Sequence, residues 1–312
     1  MQFNNAIDLA LFLHLHRLWF ATSRSMMANK EVFYEATMTN VRSDITFVLF
    51  TFDEEQRIER VILNFVKYGK VLLVDNDSTD RTREIAKQYG CDVLINKNAG
   101  WVEDELTTAR VKAAVKSEWI YWGFADEMVG AETMEAILFA VNSGKYDIVN
   151  IARKNYYYGE FCHDAFAART NRIFRKDSID FTGNKVHLFG RADPKARIHE
   201  LPLEHYVHHF ISNTAKSYLH AMDGYTDVES IEDRPVPSML RLIMSGGKTI
   251  AGNLLLRRGY KAGMPGYFLV AQMVYYQWLS AMKLYENKAL LDRGAIELKN
   301  DIFRDQILRS LR

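Results

Sequence analysis

Cysteine is scarce in this chain: its 312 residues hold two, Cys91 and Cys162. Two thiols build neither a disulfide framework nor a zinc site, and this usage points to a reducing compartment. An excess of charge is missing as well. Forty Lys and Arg stand against 39 Asp and Glu, a formal +1, which excludes a general nucleic-acid binder with its customary basic surplus. No stretch supplies the about 20 mostly apolar residues of a membrane-spanning helix. The apolar run "AIDLALFLHLHRLWFA" (6–21) is broken by Asp8, His14, His16 and Arg17, and it lacks the basic start and small-residue cleavage site of a signal peptide. It reads as an amphipathic helix, packed on the body of the protein or lying in a membrane interface. Repeats and low-complexity tracts are absent. So is Gly-x-Gly-x-x-Gly after the first strand, which disfavours a dinucleotide-binding dehydrogenase, and the first loop, "FTFDEEQR", lacks the glycine-rich start of a nucleotidyltransferase. "SGGK" (245–248) is too short for a Walker loop.

What is present is a regular alternation, backed by 48% hydrophobic residues, enough for a full core. "ITFVLFTF" from Ile45 is a short β-rich run. "EEQRIERVILNFVKYG" follows with helical spacing, Ile58, Ile62, Phe65 and Val66 on one face and Gly69 as the stop. "KVLLVD" is a second strand, and "STDRTREIAKQYG" a helix opened by Ser78 or Thr79 and closed by Gly90. "CDVLIN" is a third strand, residues 103–116 a helix, and "EWIYWGF" a fourth strand. Strands and helices at this pace predict an α/β fold with an open, mostly parallel sheet and helices on both faces. A helix over 132–142 and two strand-like runs, "YDIVNIARKNYYYG" and "RTNRIFRK", come next. Residues 177–209 read as loop-rich and carry His187, His199, His205, His208 and His209. Beyond Pro237 helices dominate. From Pro235 to Arg312 there are 12 basic and 5 acidic residues, a bias that shapes surface potential. "GYFLVAQMVYYQWLSAMKLYE" within that region reads as a buried or membrane-facing helix rather than a span.

Ligands of open parallel sheets lie beyond the carboxyl ends of the strands, so the polar residues there carry the functional question. "LLVDNDSTDRT" sets three aspartates and neighbouring hydroxyls directly after a strand. Carboxylates in that place accept hydrogen bonds from ribose hydroxyls or a base N–H, although one of the group is expected to serve as a helix cap. The fourth strand ends in Asp126 and Glu127, and burying a carboxylate is costly without a partner or a metal.

"FTFDEEQRIERVI", "VLLVDNDSTDRTREIAKQYG" and "EWIYWGFADE", in this order and spacing, resemble the nucleotide-sugar half of family 2 glycosyltransferases with the Rossmann-like GT-A fold. "NRIFRK", "GNKVH", "LPLEHY", "MDGYT" and "LRRGYKAGMPGYFLVAQMVYYQWLSAMKLYE" are similar to the later part of the bacterial branch that builds lipopolysaccharide core and other surface glycans. The pattern along the chain and the resemblance together predict three regions: an N-terminal helical segment (1–43), a catalytic GT-A domain (44–235) and a basic helical C-terminal region (236–312). The resemblance implies that Thr51, Asp53, Glu55, Asp75 and Asp77 hold the nucleotide; independently of it, Arg172 and Arg175 in "RIFR" are candidate diphosphate clamps. The resemblance also implies a divalent ion, Mn²⁺ or Mg²⁺, at an Asp-x-Asp motif. Here that motif reads Phe124-Ala125-Asp126-Glu127, with Phe124 in place of the first acid. Asp126 is the expected ligand and His205 a further candidate. Glu127, His187 and Glu200 compete for the general base of an inverting transfer. Leu188 stands where the branch usually has an acid after the histidine.

The function so implied is transfer of a sugar from a nucleoside-diphosphate donor, UDP-linked by preference, to a surface glycan or lipid-linked acceptor. The expected location is cytoplasmic, with peripheral contact at the inner face of the inner membrane left open and no nucleic-acid partner. A non-catalytic relative that binds nucleotide or glycan as an assembly partner is the alternative, motivated by Phe124 and Leu188.

Overall fold

The computed structural model describes residues 44–97, 104–184, 189–231 and 233–311. The 6–21 segment and His187 lie outside them. The first half alternates as expected: β1 (Ile45–Thr51), α1 (Ile58–Phe65), β2 (Lys70–Asp75), α2 (Thr82–Gln88), β3 (Asp92–Ile95), α3 (Glu105–Ala114) and β4 (Trp119–Phe124). A short β5 (Glu127–Val129) leads into α4 (Ala131–Asn142). Then come β6 (Ile148–Tyr157), β7 (Glu160–Phe161), β8 (Ala168–Arg175), β9 (Ile179–Asp180), β10 (Arg191–Ala192), β11 (Ile198–Glu200) and β12 (Tyr206–Ile211). The C-terminal part is helical: α5 (Ala215–Ser230), α6 (Met239–Ile250), a π-helical turn (Ala251–Leu256), a 3₁₀ turn (Gly259–Ala262), α7 (Met264–Lys288) and α8 (Arg293–Ser310).

The main sheet runs β3-β2-β1-β4-β8-β6-β12-β5, with β7 and β11 added beside β6. β1 to β4 are mutually parallel. β8 is antiparallel to both β4 and β6, so β6 points the same way as β4, and β11 and β12 run parallel to β6. The carboxyl ends of β1, β2, β4, β6 and β12 therefore open on one edge of the sheet.

Period-two alternation places the core on both faces, as a sheet covered by helices on each side requires. Phe47 and Leu49 of β1, with Trp119 and Tyr121 of β4, face Ile58, Ile62 and Phe65 of α1 and Met134 and Ile137 of α4. Val48, Ile120 and Trp122 face Val111 of α3 and Val115 just beyond it. Val66, expected on the buried face of α1, instead forms its exposed C-cap; Val61 is buried in its place. The glycine at 69 has a packing reason. A Cβ there would come within 2.7 Å of the Ile45 carbonyl oxygen, closer than a side chain can approach backbone.

Two stretches differ from the sequence reading. Residues 177–209, expected as loop, contain β9 to β11 and most of β12, an interior strand of the main sheet. These are short strands whose pairing partners lie far away in the chain, so local periodicity is weak. The helix expected to open at Ser78 or Thr79 starts at Thr82, because Ser78 is engaged elsewhere. The charge-poor run within α7 is a packed helix. Leu269, Val270, Ala281 and Leu284 are buried, and α7 bonds to α5 through Tyr276 and Ser280 to Glu229 (2.6 and 2.9 Å). Among the described residues no helix is long and apolar enough to cross a membrane.

Candidate active site

The rim begins with the loops after β1 and β2, which hold each other. Asp75 at the end of β2 is fully buried; its carboxylate accepts from the Ser78 backbone N–H (2.9 Å) and hydroxyl (2.5 Å). The Ser78 hydroxyl oxygen in turn accepts from the Asp53 N–H at 2.9 Å, and Asp53 Oδ1 accepts from the Thr79 N–H at 2.7 Å. One turn further, Thr82 Oγ1 accepts from the Glu54 N–H (2.7 Å), and Glu55 Oε2 from the Arg81 N–H (3.2 Å). Asp53 and Asp77 have φ of 52° and 63°, the left-handed region that aspartate tolerates better than most residues. Asp75 is thus an internal organiser of the loops. Asp53 and Glu55 are exposed at the rim, and Asp77 pairs with Lys97 at 3.3 Å. Thr51 is buried, with a hydroxyl that has no hydrogen-bond partner among the described residues.

Asp126 and Glu127, adjacent in sequence, have separate fates. Glu127 has zero exposure. Arg172, equally buried, donates Nη2 to Oε1 at 2.7 Å and Nη1 to Oε2 at 3.1 Å. Arg153 stands 3.5 Å from Oε1. The rings of Phe124 and Phe189 lie over the Arg172 guanidinium, 5.1 and 4.3 Å from ring centre to Cζ. Phe124, where an acid was expected, is therefore a cover for a buried ion pair. The general-base role expected of Glu127 does not suit this placement, since both oxygens are held by guanidinium groups away from solvent. Nor is Arg172 free to clamp a diphosphate.

Asp126 keeps partial exposure and faces β12. Its Oδ2 lies 3.2 Å from His209 Nε2. The other ring nitrogen, Nδ1, is 2.8 Å from Asn155 Oδ1, and the Asn155 amide nitrogen donates to the Ala165 and Phe166 carbonyls. That orientation gives Nδ1 a hydrogen and aims Nε2 at the carboxylate, so the Nε2 contact is a hydrogen bond when the ring carries a second proton, the position a metal ion would take instead. Burial by itself would raise the Asp126 pKa. The His209 ring, by charge and hydrogen bond, with Arg57 and Arg153 beyond it, outweighs burial and brings the pKa down to about 2. Arg57, paired with Glu54, also donates to Ser212 Oγ at 2.9 Å, tying the first loop to the chain just past β12. The carboxylate and imidazole fit a divalent ion. Their 3.2 Å separation suits two neighbouring ligands of a six-coordinate ion at about 2.1 Å each, and a histidine ligand whose second nitrogen is pinned is the usual arrangement. Among the described residues there is no group of three His, Cys, Asp or Glu side chains that could hold a metal, so remaining positions would fall to ligand and water oxygens.

The other expected site residues lie apart. Arg175 pairs in register with Trp119 at the amino end of β4, where it meets Glu118 and Asp147. That is roughly 16 Å from Phe124 at strand rise. Glu200 is exposed and registers with Asn150 near the start of β6, away from the rim. His205 precedes β12, its Nδ1 3.5 Å from Thr133 Oγ1. It sits four strand residues, roughly 13 Å, from His209, which takes the place beside Asp126. His209 and Asn155 were not singled out from sequence; the doublet in "YVHHFI", a polar interruption in a β-like run, was the only signal of His209, and Asn155 sits in "ARKNYYYG" with none.

Acids thus gather beyond the carboxyl ends of parallel strands, the edge where open α/β sheets bind their ligands. The sequence model of Glycosyl transferase family 2 matches residues 46–161, a little over a third of the chain. The chain is 34% identical over 104 residues to an uncharacterized glycosyltransferase of Rickettsia typhi. That alignment covers 33% of this chain and 34% of the relative, so about a third of either protein is compared. Among solved structures, the mannosyltransferase PcManGT of Pyrobaculum calidifontis in complex with GDP-Man and Mn²⁺ is similar at 14% identity and a TM-score of 0.46, over 80% of this chain and 89% of that one. S. aureus TarS 1–349 in complex with UDP-GlcNAc is similar at 11% identity and a TM-score of 0.43, over 80% and 93%.

Proposed function

We propose that the chain is a glycosyltransferase of the GT-A type. It moves a sugar from a nucleoside-diphosphate donor, UDP-linked, to a surface glycan or lipid-linked acceptor with inversion. Residues 44–235 form its catalytic part and 236–312 a basic helical extension. The observation that supports this beyond the family match is the Asp126–His209 pair, oriented through Asn155, on the edge where the loops after β1 and β2 present Asp53 and Glu55.

In this reading Asp53 and Glu55 accept from the nucleoside, and the Asp75–Ser78 clasp holds their loop in shape. Asp126 and His209 would hold Mn²⁺ or Mg²⁺, which when bound neutralises charge on the departing diphosphate. Arg57 fixes the first loop to β12 and adds to the hold of His209 on the Asp126 carboxylate. Of the three candidate bases, Glu127 is buried against Arg172 and Glu200 lies near the start of β6, away from the rim, which speaks against either. The role is assigned to His187, two residues before Phe189 in the chain, with an imidazole suited to proton transfer near neutrality.

Calorimetry with UDP, with and without Mn²⁺, followed by a donor-hydrolysis assay, tests the reading. Mn²⁺ tightens UDP binding in the native protein and leaves it unchanged in Asp126→Ala and His209→Ala; His187→Ala binds UDP normally and loses turnover. Equal Mn²⁺ response in all three proteins would overturn the site. One observation favours the alternative of a nucleotide- or glycan-binding assembly partner: the acid of the motif next to Asp126 is sealed under Phe124 and Phe189. Binding without turnover across a panel of donors would establish that reading instead.

A further inference from the structure

Between Pro235 and Tyr285 the chain has six Lys and Arg and no Asp or Glu. One of the six, Lys283, pairs with Asp223 and Asp227 of α5. The other five, Arg241, Lys248, Arg257, Arg258 and Lys261, are exposed, and none has an acid partner among the described residues. The same stretch exposes large apolar side chains. Leu240, Ile243, Met244 and Ile250 project from α6, and the π-helical turn presents Leu255 and Leu256, 66% and 84% exposed. Two consecutive leucines in water beside two consecutive arginines, neither ion-paired to an acid among the described residues (the neighbouring Asp164 pairs with Lys154), form a surface that a purely aqueous setting does not explain.

This surface is firmly seated on the candidate site. Asn253 in the π turn accepts from the Phe166 N–H at 2.9 Å, and the Arg257 carbonyl accepts from the Asp164 N–H at 3.2 Å. The Phe166 carbonyl accepts from Asn155, which orients His209 toward Asp126. The π turn and the Asp126–His209 pair thus share one hydrogen-bonded framework at the carboxyl end of β6.

We propose that the exposed face of α6 and the π-helical turn form a docking surface for an anionic lipid bilayer. Leu255 and Leu256 enter the interfacial layer, and the five unpaired basic residues meet lipid phosphates. The apolar side chains select a bilayer over a nucleic acid, whose phosphates offer nothing to bury leucine against. The uniform positive charge selects a bilayer over a second copy of the chain, since two such faces repel. Among the described residues no helix is of spanning type, so the contact is an interfacial one, driven by apolar insertion and attraction to anionic headgroups. The inference deepens the proposed function by placing a lipid-linked acceptor on the edge that carries Asp126. It does not depend on turnover.

The test uses the full chain and vesicles of phosphatidylethanolamine with phosphatidylglycerol, with phosphatidylcholine as the neutral control. Cys91 and Cys162 are buried, so a polarity-sensitive fluorophore can be placed at Leu256→Cys and, at the opposite end of the sheet, at Lys195→Cys. The label at 256 shifts to the blue with anionic vesicles and is quenched by spin-labelled lipid, while the label at 195 does neither. Leu255→Asp with Leu256→Asp lowers the floated fraction at least tenfold, and Arg257→Glu with Arg258→Glu abolishes the preference for anionic lipid. Three results would overturn the proposal: flotation with an unchanged label at 256, a blue shift without vesicles that grows with protein concentration, or tighter binding to a single-stranded oligonucleotide than to vesicles. UDP calorimetry on the leucine variant separates the two readings, since donor binding survives loss of the membrane face.

Discussion

Glu127 shows how far a residue's neighbours decide its work. As one of two adjacent carboxylates after a strand, it reads equally as ligand, base or structural acid. Its partner, Arg172, lies 45 positions away, beyond the reach of any local pattern. A buried pair of this kind contributes little over an apolar replacement, but removing one member strands the other charge, at a cost of about 3–5 kcal/mol. Glu127→Gln should therefore lower stability by that order in urea denaturation; a variant of native stability would return Glu127 to the list of chemical groups. Asp126 behaves in the opposite way. Its folded pKa is depressed to about 2, below the ordinary value near 3.9. The stabilisation is therefore complete above about pH 5, is lost as pH falls toward 2, and is worth about 2–3 kcal/mol. Denaturation midpoints of the native protein and Asp126→Asn should converge across that acid window and stay apart above it. A constant gap would mean that His209 does not hold the carboxylate.

At the scale of elements, the legible parts were those whose partners follow within one helix. β1 to β4 and their connecting helices repeat a pattern of period two and then 3.6; β1–β2 and β2–β3 pair one crossover apart, and β4 returns to the other side of β1. β12 gives no such sign, with Val207 its one buried residue and two histidines at its centre. It becomes a strand because β6 and β5 lie ready on its two sides. The rim loops were read correctly as polar, but not as a clasp. Ser78 was expected to cap a helix and instead joins Asp75 to the Asp53 N–H. Ser78→Ala leaves that buried carboxylate and the N–H each short of a partner, so a loss of about 1–3 kcal/mol is expected, together with weaker UDP binding. Asn155→Ala should leave UDP binding intact without metal and reduce the Mn²⁺ contribution about 10-fold or more, the usual effect of removing the group behind a histidine ligand.

Over the whole molecule, stability resides in the sheet and the helices packed on it. α8 has no buried residue, while α7 places six in the interior. Removal of residues 293–312 should leave the thermal midpoint of the remainder unchanged, whereas Leu284→Asp in α7, which is fully buried, should lower it by many degrees; calorimetric scans of the two variants check this. The functional edge is likewise a property of the assembled sheet. Asp126 and His209 are 83 positions apart and meet because β5 and β12 pair antiparallel, bringing Glu127 opposite His209. The most direct measurement is an anomalous difference map at the manganese edge, from crystals grown with UDP and Mn²⁺. A peak touching both Asp126 and His209 Nε2, with diphosphate oxygens completing the shell, is the predicted result. Manganese and diphosphate bound elsewhere, with the Asp126–His209 hydrogen bond intact, would contradict it.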